Sequence, residues 1–379
     1  MTKSQSGMYD VVIVGGGLVG ASVACALEPL GLRILLIEKV PFRTGDPPSY
    51  DDRTLALSHS SCRILEGLGL WPELAAHATP ITEVFVTERG RPGQVVMRAG
   101  ELGLAALGNV VEARAFGAVV LDQLARLPGL EVDCPATVET MTSGEDEVQL
   151  EVSSDQGLRR VRTRLVVAAD GADSAMRGLA GIEAAKHDYG QTAVICNITP
   201  ERAHAGRAYE RLTDTGPCAL LPHAGERCGL VWSVRSEDAA GLLSLEDTEF
   251  MARAAGRLGS PLGGFRKLGR RTSYPLKLVR AASDVAPRTV ILGNAAHAIH
   301  PVGAQGFNLG LRDVAVLAEV LANGGEDPGD AALLRAYSAW RQPDQQATIA
   351  WTDGMARLFA NPSPAARFAR SSGFFLHAL

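Results

Sequence analysis

The chain of 379 residues has little cysteine and no arrangement suited to cross-linking: Cys25, Cys62, Cys134, Cys196, Cys218 and Cys228 form no C-x-x-C pair and no regular framework. Reduced thiols in a cytosolic compartment are expected, and neither a disulfide scaffold nor a metal site is supported. Positive charge is not in excess either. The 37 basic and 42 acidic residues are spread along the chain and sum to −5, which excludes a nucleic-acid footprint. Long uncharged runs are scarce. Residues 11–27 could pass for a signal peptide or a membrane span, but three consecutive glycines would weaken a spanning helix and another strand pattern follows in place of a cleavage region. That run is read as internal and the protein as cytoplasmic. What is plentiful is apolar content, at 46%, enough for a real core in one large or two modest domains.

Three glycine-bearing stretches carry the chemistry. Val11 to Val14 reads as a buried parallel strand, followed by Gly15-x-Gly17-x-x-Gly20 and a helix closed by Pro29 and Gly31. In that context Gly15 makes the tight turn, Gly17 lets a pyrophosphate reach the helix N-terminus, and Gly20 lets helix and strand pack closely. The next strand, Arg33 to Ile37, ends in Glu38, 18 positions after Gly20, where a carboxylate can accept both hydroxyls of an adenosine ribose and disfavours a 2′-phosphate. The alternative, a glycine-rich buried turn with an incidental surface Glu, leaves this spacing unexplained. Asp170-Gly171 closes a strand from Val161 to Ala169, with Ser174 placed to cap the next helix. Spacing alone leaves it equally a ligand-holding edge or a plain turn. The longest stretch is 289–313, in which a strand from Thr289 to Leu292 runs into a loop with Gly293, Pro301, Gly303 and Gly306 before a helix opening near Phe307. Connections of this kind usually take 2–6 residues. A longer one, stripped of side chains beside a helix N-terminus, suits an electron-rich or anionic guest.

The rest is read more coarsely. Residues 40–52 form a loop, and Arg53 after it could pair with a pyrophosphate or be a solvated surface residue. A helix over 61–70 is capped by Ser60 or Ser61. Residues 80–99 form a hairpin, and Ala115 to Leu127 a helix. Strands are expected over 130–138 and 147–152, and an antiparallel sheet over 190–235, where Leu230, Trp232 and Val234 share one face and read as core. Helices cover 245–257, 307–323 and 330–358, with Trp340 and Trp351 as core anchors. His297 and His300 have metal-like spacing, but no helix is expected across their loop, so packing or capping is favoured over metal or base chemistry.

Taken together, Gly15-x-Gly17-x-x-Gly20 with Glu38, Asp170-Gly171 with Arg177, and Gly293-Asn294-Ala295-Ala296-His297 with Pro301-x-Gly303-x-x-Gly306 resemble the para-hydroxybenzoate hydroxylase class of FAD-dependent aromatic monooxygenases over essentially the whole chain. Within it, the sequence is most similar to the ubiquinone-biosynthesis hydroxylases, and among these to the 2-polyprenyl-6-methoxyphenol hydroxylase branch. The discriminating words are His300-Pro301, the run Gly306 to Asp313, Gly216 to Pro222, Arg341-Gln342-Pro343-Asp344, Thr352-Asp353 and Leu358 to Asn361.

The resemblance implies an α/β fold in which a Rossmann-like FAD-binding domain carries an inserted antiparallel β-sheet substrate domain and C-terminal helices. The boundaries would be 1–79, 100–182 and 275–379 for FAD, and 80–99 with 183–274 for substrate. It implies that Gly15, Gly17, Gly20 and Glu38 bind the ADP half of FAD, that Arg53 and Arg114 lie near the cofactor, and that Asp170 and Gly171 form the second fingerprint. Gly293, Asn294, Pro301, Gly303, Gly306, Phe307 and Asn308 would hold ribitol and flavin ring. Most of the class has Asp where Asn294 stands, although the methoxyphenol branch also carries Asn; an amide still bonds a ribitol hydroxyl. No catalytic residue and no metal ligand is assigned. NAD(P)H would be a visiting co-substrate, because only one dinucleotide fingerprint is present. Disulfide reductases would need a redox C-x-x-x-x-C and flavin halogenases a W-x-W, and neither is found. The implied reaction is hydroxylation of a polyprenylated methoxyphenol ring with O2, with peripheral contact to the inner membrane or to quinone-biosynthesis proteins. Hydroxylation of another ring position or of a soluble aromatic, or a non-catalytic flavin-binding subunit, are the alternatives. Relatives usually continue past Leu379, which leaves a C-terminal membrane contact open.

Overall fold

The computed structural model describes residues 7–42, 54–361 and 363. Tyr9–Val14 pairs in parallel with Ile34–Ile37 on one side and Gly157–Ala168 on the other, and Leu130–Asp133 and Thr289–Ile291 extend the same sheet. Both faces of this sheet are covered, which is why its strands read as unbroken apolar runs. Val11, Ile13, Ile34, Leu36, Leu165 and Val167 point to helices Leu18–Leu27, Ala113–Arg126 and Gln305–Ala322. Their alternating neighbours Val12, Val14, Leu35, Ile37, Val166 and Ala168 pack on the hairpin Ala136–Ser143 and Val148–Ser154.

A second, nine-stranded sheet is built on the long strand Ala184–Pro200, which pairs antiparallel with Cys228–Arg235 and Thr272–Ala281. Gly216–Pro222 and Arg207–Thr213 continue it, and the hairpin Glu83–Glu88 and Gln94–Arg98 closes its edge. One ladder departs from the expected antiparallel pattern: Arg207–Thr213 runs parallel to Glu83–Glu88, because the hairpin arrives from a distant part of the chain and not through a tight turn. Trp232 and Val234 pack with Leu230 beneath helices Ser236–Leu243 and Asp247–Leu258, as core, with Trp232 tilted on Phe250 at 5.7 Å. A small three-stranded sheet, Thr54–Ser58, Gly108–Glu112 and Thr79–Ile81, bridges the two halves.

The expected fold class is the observed one, and the departures are local. Helix His59–Gly67 starts earlier than expected and is capped by Ser58, whose hydroxyl accepts the Ser61 N–H, in place of Ser60 or Ser61. The run 130–138 is two strands, divided at Pro135, which has no N–H to give a ladder. Helix Ser236–Leu243 was not anticipated, although Glu237 and Asp238 in its first turn mark a helix start. Trp340 and Trp351 are not core anchors: they are 54% and 49% exposed. The buried stripe of helix Ala331–Ala360 runs instead through Leu334, Tyr337, Ser338, Arg341, Gln345, Ile349, Thr352, Ala356 and Phe359. Its polar members make the helix face hard to recognise from hydrophobicity. Among the described residues, no helix is long and apolar enough to cross a membrane.

Candidate active site

A cavity of about 1260 Å³ lies between the two large sheets. It exceeds the roughly 300–1,000 Å³ of ordinary single-ligand pockets, so there is room for a dinucleotide and a second guest. Of the residues singled out by sequence, Gly15, Gly17, Glu38, Asp170, Gly171, Asn294, Pro301, Gly303, Gly306, Phe307 and Asn308 line it. Three separated motifs therefore meet at one wall. Gly20 and Gly293 stand behind that wall, Arg114 is an exposed residue at the start of helix Ala113–Arg126, and Arg53 lies outside the described residues.

The first motif is shaped by missing side chains. A Cβ at Gly20 would sit 1.9 Å from the Gly15 carbonyl oxygen, so helix Leu18–Leu27 can approach its strand only without one. Gly15 has φ +104°, and a Cβ there would strike Ala169 O at 2.5 Å. At Gly17 the position of a Cβ meets nothing within 4 Å, although the residue lines the cavity. That empty cradle, at a helix N-terminus with no side-chain cap, is where a phosphate fits. Glu38, at the end of Ile34–Ile37, is held by the Gly16 and Val40 N–H groups, and its carboxylate faces the same space.

In the second motif, Asp170 accepts from Ser174 Oγ at 2.5 Å and Met176 N at 3.0 Å, while Ser174 caps the following helix by accepting the Arg177 N–H. Asp170 is thus both a turn residue and a cavity residue. Buried Arg177 ties this motif to the third, donating to Ala295 O at 2.7 Å and Ala172 O at 3.1 Å.

The third motif is stitched to both sheets. Thr289–Ile291 belongs to the first, yet His297–Ala298 pairs with Val279 and Arg280 of the second. His297 Nε2 lies 2.6 Å from Asp313, which also accepts from Arg341 at 2.8 Å and Gln345 at 3.0 Å. Burial pushes the Asp313 carboxyl up, but His297 and Arg341 outweigh it and leave the group below its ordinary value. His300 Nδ1 accepts the Val302 N–H and its Nε2 meets Gln191 Oε1 at 2.9 Å. Burial brings its pKa down to about 4, so it is neutral at physiological pH. His300 thus caps the loop, whereas the buried His297 pairs with Asp313 behind it.

Helix Gln305–Ala322 opens two residues before Phe307, after Ala304 at φ +52°, with no side-chain cap and its first turn on the cavity. Asn308 fixes this opening, accepting the Ser58 N–H and donating to Ala56 O, and Phe307 meets Phe116 edge-on at 5.2 Å. The opposite wall is the second sheet, with Val84, Val86, Ile195, Ala219, Val231 and Leu276 turned inward. Sequence reading missed Glu210, which stands in that wall, and Trp351, whose indole a Cβ at Gly303 would meet at 2.8 Å.

The FAD binding domain family matches residues 8–352. The chain is 40% identical to the ubiquinone hydroxylase UbiL of Rhodospirillum rubrum, covering 98% of this chain and 87% of that one. It is 30% identical to the 3-demethoxyubiquinol 3-hydroxylase of Escherichia coli, covering 96% and 93%. The p-nitrophenol 4-monooxygenase PnpA of Pseudomonas putida shares the fold at a TM-score of 0.79 and 22% identity, over 98% of this chain and 94% of that structure.

Proposed function

The chain belongs to the FAD binding domain family and is an FAD-dependent monooxygenase, and from that premise we propose that it hydroxylates the ring of a polyprenylated methoxyphenol in ubiquinone biosynthesis, using NAD(P)H and O2. One observation carries the substrate class: the glycine-lined dinucleotide cradle faces, across a single cavity, a sheet wall that is almost wholly apolar. An aromatic ring with a hydrocarbon tail suits that wall, since each buried CH2 contributes about 0.8 kcal/mol. The divisions 1–79, 100–182 and 275–379 for cofactor, and 80–99 with 183–274 for substrate, are proposed to follow the two sheets.

The residues present fit FAD. Gly15, Gly17 and Gly20 would admit the pyrophosphate to the N-terminus of helix Leu18–Leu27. Glu38 would take the adenosine ribose, and Asp170 and Gly171 would line the middle of the cofactor. Gly293, Asn294, Pro301, Gly303, Gly306, Phe307 and Asn308 would hold ribitol and ring, with Arg53 and Arg114 nearby. When bound, FAD supplies electrons taken from NAD(P)H and activates O2. The protein positions the ring and shields it from water, and the open N-terminus of helix Gln305–Ala322 favours negative charge beside it. Peripheral attachment to the inner membrane, or to other quinone-pathway proteins, would deliver the tailed substrate.

The test is to incubate the purified flavoprotein with NAD(P)H, a short-tailed prenyl methoxyphenol and isotopically labelled O2, and to weigh the product. One labelled oxygen on the ring is expected, and its position identifies the step. Unlabelled substrate accompanied by peroxide would count against this substrate.

A further inference from the structure

The inward face of the second sheet can be followed residue by residue through its registers. Val86 lies beside Glu210, Glu210 opposite Ala219, Ala219 opposite Val231, and Val231 opposite Ile195. All five line the cavity. A single carboxyl group therefore stands in the middle of an otherwise apolar row. Among the described residues that the nine-stranded sheet contributes to the cavity, Glu210 is the only acid. Across from it is Gly303 of the glycine loop, whose N–H donates to Glu210 Oε1 over a long 3.4 Å. That bond leaves most of the carboxyl's accepting capacity free.

An acid held in such a wall is costly unless something pairs with it. Among the described residues, the neighbours offer nothing ionic. Val86 faces it from the adjoining strand, Ala219 from the other side, Gly303 from the loop, and Trp351 and Met355 of helix Ala331–Ala360 line the same space. On its own strand, Tyr209 stacks on Phe85 at 5.3 Å and Arg211 donates to Leu258 O. Burial raises the Glu210 pKa, opposed among the described residues by the Gly303 N–H.

We propose that Glu210 holds the phenol hydroxyl of the substrate and takes its proton, which makes it a catalytic residue of the ring-hydroxylation site. The inference rests on the phenol substrate class proposed above. In the step, the phenol O–H bond breaks, the proton passes to a Glu210 carboxylate oxygen, and the electron pair stays on the phenol oxygen. Ring carbons ortho and para to that oxygen gain electron density and become better nucleophiles toward oxygen. When the oxygenated ring becomes aromatic again, its C–H bond at the new C–O carbon breaks and that proton leaves to solvent. The electron pair returns charge to the phenol oxygen, which the protonated acid then neutralises by giving its proton back. A carboxylate made more basic by its apolar wall is better matched to a phenol than a solvated one.

The experiment compares FAD-loaded wild type, Glu210→Gln and Glu210→Asp. Glutamine keeps an acceptor for the Gly303 N–H, so the loop contact survives and FAD content should be unchanged. Ultraviolet difference spectra of a bound short-tailed prenyl methoxyphenol should show phenolate in wild type below the phenol's own pKa and neutral phenol in Glu210→Gln. Product formation should fall at least 10²-fold in Glu210→Gln and lose its acidic limb in a kcat–pH profile, with partial recovery in Glu210→Asp. Neutral phenol bound to wild type, or an unchanged rate and pH profile in Glu210→Gln, would overturn the inference. Phenolate formation in wild type without ring oxygenation would support the role of Glu210 while removing the proposed reaction.

Discussion

Gly17 and Gly20 stand on one turn, yet the side chains they lack would meet different things. A Cβ at Gly20 collides with backbone at 1.9 Å, whereas one at Gly17 enters open cavity. Gly20→Ala should therefore destabilise the protein itself, by about 1–3 kcal/mol or more in denaturant titration of the FAD-free form. Gly17→Ala should leave that stability within about 0.5 kcal/mol and lose FAD affinity, read as the flavin absorbance that survives purification. Equal flavin retention by Gly17→Ala and wild type would count against a phosphate at this turn. At the loop, Asn294 is exposed to the cavity and an amide or a carboxylate can each accept from a hydroxyl, so Asn294→Asp is expected to retain flavin. These positions were legible because glycine spacing reports backbone approach directly. Glu210 was not, because its meaning depends on which face of its strand points inward and on which residues stand opposite, and both follow from sheet register.

At the scale of elements, the least legible feature is the buried polar seam between helices Gln305–Ala322 and Ala331–Ala360. Asp313 on the first is held by Arg341 and Gln345 on the second and by His297 of the loop. The seam pins the two helices to each other, and neither Trp340, which is exposed, nor Trp351, which borders the cavity, belongs to it. Loss of one partner strands a buried charge, so Arg341→Met should cost about 3–5 kcal/mol of stability. Asp284 borders this seam, where burial first and the Asp313 charge second raise its pKa to about 6. A carboxyl raised in the folded state binds protons more tightly there than in the unfolded chain. Its stabilising contribution is present below pH 4 and is lost as pH rises through about 6. Thermal melts of Asp284→Asn should accordingly lack the wild-type decline between pH 4 and 6, and the variant should be more stable by on the order of 1–3 kcal/mol at pH 8. Parallel melting curves for the two proteins would show that Asp284 is not buried as a charge.

At the scale of the whole molecule, two large sheets meet at the glycine loop, beside the small three-stranded sheet that bridges them. The strand–glycine–helix–strand order at the start of the chain made the parallel sheet readable, and short strands between turn residues did the same for the second. Their juncture was hidden, since a two-residue bridge at His297–Ala298 leaves no periodic trace in sequence. Yet that bridge decides how cofactor binding acts on the fold. Cavity residues come from both sheets and from the loop between them, so a dinucleotide held as proposed by the first sheet and that loop would rest on a surface complete only when both sheets are folded and joined. Ligand that binds the native state alone stabilises it by about 2.7 kcal/mol at 100 times its dissociation constant and about 4.1 at 1,000 times. Titrating FAD into the cofactor-free protein should then raise the melting temperature continuously, and the transitions of both sheets should move together in hydrogen exchange. Protection gained only in Tyr9–Val14 and its neighbours, with Ala184–Pro200 unaffected, would mean that the cofactor is held by the first sheet alone and that the loop does not transmit its binding.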